Sequence, residues 1–115
     1  MSPAFDQKEL IERLDNDWDF LAETVDMLST DGRNLMAQIK AAADAGDAAT
    51  LGRVAHTLKG MISNFCAAQA HASAFEVEQI GKNNQLGSAK PAIESLETRL
   101  ETLIHELTEF LATRN

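Results

Sequence analysis

The stretch LGRVAHTLKGMISNFC, residues 51–66, decides how the rest of the chain is read. Wound at about 100° per residue, it gathers Leu51, Val54, Ala55, Leu58, Ile62 and Phe65 on one side. Gly52, His56, Lys59, Gly60 and Ser63 fall on roughly the opposite side. A histidine therefore stands on a polar face, with a lysine one turn on and otherwise the smallest residues around it. Glycine inside a helix costs ~1 kcal/mol against alanine, and here it flanks the histidine on both sides. Two explanations stand. The glycines clear space for something large to approach the imidazole, or one permits close helix packing and the other is incidental.

The length of 115 residues predicts one domain, and 44% hydrophobic residues suffice for a core. Neither a G-x-x-x-x-G-K-[ST] loop nor a G-x-G-x-x-G turn is present, and the chain is too short to carry a nucleotide-binding kinase domain as well. A formal charge of -8 disfavours nucleic acid as a partner. Residues 48–91 hold four bases (Arg53, Lys59, Lys82, Lys90) against two acids (Glu76, Glu78). His56 thus lies in the one mildly basic region of an acidic chain, which suits an anion or an acidic partner. Uneven charge is common on small domains, so this alone assigns nothing. With one cysteine there is no intramolecular disulfide. No apolar run reaches membrane-spanning length and the N-terminus lacks the pattern of a signal peptide, so the expected location is the cytoplasm.

Strand signals are almost absent: there is no tyrosine and no alternating β-branched run. A short first helix opens at Asp6, where Asp6 and Glu9 have the form of a capping box and Phe5 with Leu10 can staple it. Leu10, Ile11 and Leu14 form its expected buried edge. A second helical region runs from residue 16 or 17 to 45, carrying Trp18, Leu21, Val25, Leu28, Leu35, Ile39 and Ala42 or Ala43 at helical spacing. Ser29-Thr30-Asp31-Gly32 interrupts it; the apolar phase resumes afterwards, which favours one kinked helix over two. Gly46 stops it and Asp47 caps the next. The segment 67–84 places Ala67, Ala70, Ala74, Val77 and Gly81 on one stripe, implying a close helix–helix approach. Residues 83–87 read as a loop. Ser88 can cap a last helix that tolerates Pro91 in its first turn and carries a seam of Ile93, Leu96, Leu100, Leu103, Leu107 and Phe110. The sum is an all-α, up-and-down four-helix bundle with a short additional N-terminal helix across one end.

The run A-H-T-L-K-G-M-I-S-N-F, residues 55–65, resembles the phosphoacceptor motif of histidine-containing phosphotransfer (HPt) domains of two-component phosphorelays. F-D-x-x-x-L-I-E-R-L (5–14) and G-D-A-A-x-L (46–51) extend the likeness, which covers essentially the whole chain as one HPt-type domain, 1–115. The pattern looks most like the C-terminal HPt modules of hybrid sensor kinases. The resemblance implies that His56 accepts a phosphoryl group from the aspartate of a receiver domain and passes it to another receiver. A histidine's ordinary pKa of about 6.5 leaves its nucleophilic form populated near neutrality. Lys59 can offset charge on the phosphoryl oxygens and Gly60 leaves room for them. At the positions matching the family's second helix stand Glu78, which can accept the Nδ1 proton of His56, and Lys82, which can add positive charge; the pair also fits an ordinary solvated i, i+4 contact. Relatives usually have glycine where this chain has Cys66, near the turn between the two helices, so a tolerated packing change is expected there.

The resemblance implies no cofactor, no metal ligand and no ATP-dependent kinase activity in this chain. It implies receiver domains of response regulators as partners, with a hybrid sensor kinase among them. Neither nucleic acid nor membrane insertion is expected, and the domain should be a monomer. Exposed apolar residues near His56, among them Met61, Leu28 or Phe75, are expected to help in docking. His71 and His105 lie on other helices and read as surface residues. The rival reading is a helical interaction module that has kept the fold and lost the transfer role; a metal or haem bundle lacks suitably spaced ligands.

Overall fold

The computed structural model describes residues 3–113, and no strand occurs among them. Six α-helices follow one another: α1 (Gln7–Leu14), α2 (Trp18–Met27), α3 (Arg33–Asp44), α4 (Ala48–Ile62), α5 (Ala68–Lys82) and α6 (Ala89–Thr113). A π-helical turn, Leu28–Gly32, joins α2 to α3. The expected all-α bundle is observed: α2 and α3 form one rod, and it packs with α4, α5 and α6 around a shared apolar core.

Asp6 caps α1, its Oδ1 accepting from the Glu9 N–H at 3.0 Å. The return arm of a capping box is absent. The Asp6 N–H donates instead to the Cys66 carbonyl at 2.9 Å, and Glu9 pairs with Arg13. The start of α1 is thereby tied to the turn between α4 and α5. Phe5 is buried edge-on to Phe110, with centroids 5.4 Å apart, and Trp18 lies tilted against Phe110 at 5.5 Å. Of the expected buried edge, Leu10 is in the core and Leu14 half-buried, but Ile11 is exposed. Leu10 and Leu14 share a stripe at i, i+4, whereas Ile11 is turned about 100° from Leu10, and an eight-residue surface helix buries one stripe only. Two left-handed residues, Asp15 and Asn16, end the helix.

The Ser29–Gly32 interruption is a wide turn inside a continuous helix, since Met27, Leu28, Gly32 and Arg33 all keep right-handed helical dihedrals. A turn closed i→i+5 holds more residues than an α-turn. The buried stripe therefore steps from Leu28 to Gly32 to Met36 before reaching Ile39 and Ala42. Met36 takes the core place expected of Leu35, which is only partly buried. At the far end Gly46 (φ +69°) forms a Schellman stop: its N–H donates to Ala43 and the Asp47 N–H to Ala42. Asp47 then caps α4 by accepting from the Thr50 N–H at 3.1 Å.

Between α4 and α5 the backbones come very close. A Cβ built on Gly81 would lie 2.4 Å from Gly52 N, 2.6 Å from Gly52 Cα and 2.8 Å from the Ala48 carbonyl. Gly52 is buried in this contact, so it does not belong to the open polar face assigned to it from helical phase. The backbone of α5 covers that part of the face. Gly60 is different: a Cβ there would meet nothing within 4 Å. Close helix packing is the role of Gly52, and the face at Gly60 is open. On α5 the stripe Ala70, Ala74, Val77 and Gly81 is buried as expected. Asn84 (φ +54°) ends that helix with the same stop, the Gln85 N–H donating to Ile80. The α6 seam of Ile93, Leu96, Leu100, Leu103 and Leu107 is buried inside the bundle. Arg33 holds Glu101 with two bonds, at 2.9 and 2.7 Å, and Lys40 pairs with Glu97, linking α3 to α6 at the surface.

Gly81→Ala is expected to destabilise the domain by about 1–3 kcal/mol, because backbone must move to admit the methyl group. Gly60→Ala should instead stabilise it by up to ~1 kcal/mol through helix propensity. Urea denaturation of the two variants beside the parent checks both signs.

Candidate functional site

His56 and Lys59 lie one turn apart on α4; Phe75, Glu78 and Lys82 follow one another at single-turn steps on α5. Because the glycine contact draws the two helices together, the side chain of Glu78 reaches across to α4. Its carboxylate is 1% exposed and meets three nitrogens: His56 Nδ1 at 2.9 Å from Oε2, Lys82 Nζ at 3.0 Å from Oε2, and Lys59 Nζ at 2.7 Å from Oε1. The Lys59 contact is an ion pair; no hydrogen bond of good alignment reaches Oε1. The Lys59 ammonium first, against the opposing effect of burial and with help from Lys82 and His56, holds the Glu78 carboxyl well below its ordinary 4.5, at about 2.

An ionised carboxylate can only accept a hydrogen bond. The Glu78 contact therefore requires a proton on Nδ1, which in the neutral ring leaves the lone pair on Nε2. The His56 side chain is 66% exposed, so that lone pair faces approach from solvent. Two ammonium groups against one carboxylate leave the surroundings of the ring net positive. Lys82 is 59% exposed, while Lys59 is only 20% exposed and is turned to Glu78. A shallow depression beside the ring is lined by Ala48, Gly52, Arg53, Gly81 and Lys82. Gly60, one turn beyond His56 on the same face, opens the other side.

The family model of the Hpt domain matches residues 23–110. The chain belongs to the Hpt domain family. Hpt domains are the phosphotransfer intermediates of two-component phosphorelays, and receiver domains of response regulators are their partners. Among solved structures, histidine-containing phosphotransfer protein B (HptB) from Pseudomonas aeruginosa PAO1 matches with a TM-score of 0.88 at 22% identity, over 100% of both chains. That likeness extends the shared fold to α1, which the family model does not reach. Comparison with curated proteins gives no match. None of the helices among the described residues is long and apolar enough to cross a membrane.

The structure brings His56, Lys59, Glu78 and Lys82 into one cluster and leaves Gly60 open beside it. Leu28, expected to be available for docking, is fully buried, because the π-turn points it into the core. Met61 is half-buried and Phe75 exposed. His71 and His105 are at the surface, His105 paired with Glu109 at 3.2 Å. Cys66 occupies the left-handed region at φ +55°, a backbone conformation that favours glycine. Burial pushes its thiol pKa up, against any reactive role. Two residues that the sequence reading named without a place in the site lie in it. Arg53 lines the depression, and Phe75 carries the Lys59 ammonium over its ring at 5.1 Å. The i, i+3 spacings Arg53–His56 and Phe75–Glu78 were the available signals.

The Glu78 carboxyl titrates lower in the folded chain than in the unfolded one. Its stabilising contribution is full above about 4.5 and is lost as pH falls toward about 2. Glu78→Gln should be less stable than the parent at pH 7 by about 1–3 kcal/mol. The gap should narrow as pH falls through that window, as read by urea denaturation at stepped pH.

Proposed function

We propose that His56 is the phosphoacceptor of this Hpt domain, with Nε2 as the nucleophile. The observation that carries this is the 2.9 Å contact of Nδ1 with a buried, ionised Glu78 on an otherwise exposed ring. Nε2 attacks the phosphorus of a receiver's aspartyl phosphate. The N–P bond forms as the P–O bond to the aspartate breaks, and the electron pair leaves on the receiver's carboxylate. The Nδ1 proton stays on the ring, which becomes cationic, and Glu78 across the hydrogen bond balances that charge. Reversal of the same step on a second receiver passes the group onward.

Lys82 is exposed enough to face the phosphoryl oxygens, Lys59 holds Glu78 in place and adds positive field one turn away, and Gly60 leaves the approach free. The docking face is the α4–α5 surface around His56, with receiver domains as partners and a hybrid sensor kinase as one donor. The same reading takes residues 1–115 as a single Hpt bundle acting as a monomer in the cytoplasm. Burial of the α6 leucine seam within the bundle favours the monomer.

Incubation with a phosphorylated receiver should place an acid-labile, base-stable label on the domain, absent from His56→Gln. Lys82→Ala should slow labelling by about tenfold, the scale of losing one exposed electrostatic contact to the transferring group. Label persisting in His56→Gln would falsify the assignment. A parent domain that binds receivers but takes no label from any of them would be a helical interaction module.

A further inference from the structure

Phe75 is 47% exposed and is not among the buried residues of the core. Its ring meets Lys59, whose ammonium lies 5.1 Å from the ring centroid and 2.7 Å from Glu78 Oε1. The helices α4 and α5 run antiparallel, so these groups form successive rungs. Phe75 faces Lys59, Glu78 lies between Lys59 and His56, and Lys82 closes the far side.

Lysine has long rotamer freedom, and fixing it against one carboxylate oxygen costs side-chain entropy. A ring beneath the ammonium reduces the orientations open to it and attracts its charge. The contact matters here because Oε1 has no aligned hydrogen bond of its own and relies on this ion pair. If Lys59 swings away, a buried carboxylate loses its nearest counter-charge, and the oxygen that orients His56 belongs to that same carboxylate.

We propose that Phe75 is a positioning residue, whose ring holds the Lys59 ammonium against Glu78 and so keeps the His56 ring oriented with Nε2 free. It touches no reacting atom and acts through Lys59 and Glu78. This departs from a role in docking a partner, the ordinary expectation for an exposed phenylalanine. The proposal rests on the assignment of His56 only for its effect on transfer.

The test compares the parent domain with Phe75→Leu, which keeps apolar cover without a ring, and Phe75→Trp, which keeps a ring. In the free domain at neutral pH, nitrogen NMR follows hydrogen exchange of the Lys59 ammonium and the shifts of the two His56 ring nitrogens. Phe75→Leu should speed Lys59 exchange by about threefold, the scale of one partly exposed cation–π contact, and move the ring shifts toward a mixture of tautomers. It should slow phosphoryl acceptance from a receiver by a similar factor, and Phe75→Trp should restore all three. Unchanged Lys59 exchange in Phe75→Leu overturns the proposal. Slower acceptance with unmoved Lys59 and His56 signals also overturns it, and makes Phe75 a docking residue. Moved signals in Phe75→Leu, with a parent domain that accepts no phosphoryl group, uphold the positioning role and reject the phosphoacceptor assignment instead.

Discussion

Where α4 and α5 cross, Gly52 and Gly81 let two backbones approach to a distance that no Cβ at position 81 would permit. The site hangs on that approach. His56 lies one turn beyond Gly52, and Glu78 lies one turn before Gly81. A glutamate reaches only a few bond lengths from its own helix, so the separation of the axes decides whether its carboxylate meets the imidazole and Lys59 or stops short. Ala70 and Ala74, on the same stripe of α5 as Gly81, are buried with it.

Closeness also creates the electrostatic problem that the site solves. A carboxylate that is 1% exposed has lost its water, and a buried charge is tolerated only with partners. Glu78 has three, from both helices. The outcome is a fixed negative group behind the ring and a positive rim in front of it. An imidazole so held has a set tautomer, and its outward nitrogen faces a field suited to an incoming phosphoryl group. Apart from that rim the chain is strongly acidic, so the region around His56 is set off by charge as well as by shape.

The ends of the bundle are fastened by means that leave this surface open. Phe5, Trp18 and Phe110 clamp α1 over one end, and the Asp6 N–H is spent on the Cys66 carbonyl rather than on a local cap. Cys66 holds a left-handed backbone without being glycine, and that bond to Asp6 helps to keep the turn in place. The π-turn at Leu28–Gly32 lets one long helix turn its apolar stripe inward on both sides of the interruption.

Most of the fold was legible in the sequence because its signals are local. Asp6, Asp47, Gly46 and the Asn83-Asn84 pair act through hydrogen bonds to their own neighbours, and apolar spacing at 3.6 residues marks each buried face. His56, Lys59, Gly60, Glu78 and Lys82 were legible as candidates, through spacing on α4 and a family resemblance that reached α5. What periodicity could not supply was phase across a defect or rotation against a neighbour. Ile11, Leu35 and Gly52 were misplaced for that reason, since a short surface helix, a wide turn or a packed partner helix decided their exposure. Nor could spacing tell which way Lys59 turns, or that Phe75 lies under it. The sequence by itself determined the helices, their ends and the residue types available to the site, because those follow from forces between near neighbours. Only the tertiary structure decided that one carboxylate would join them, because burial and charge pairing across α4 and α5 exist only once the two backbones have met.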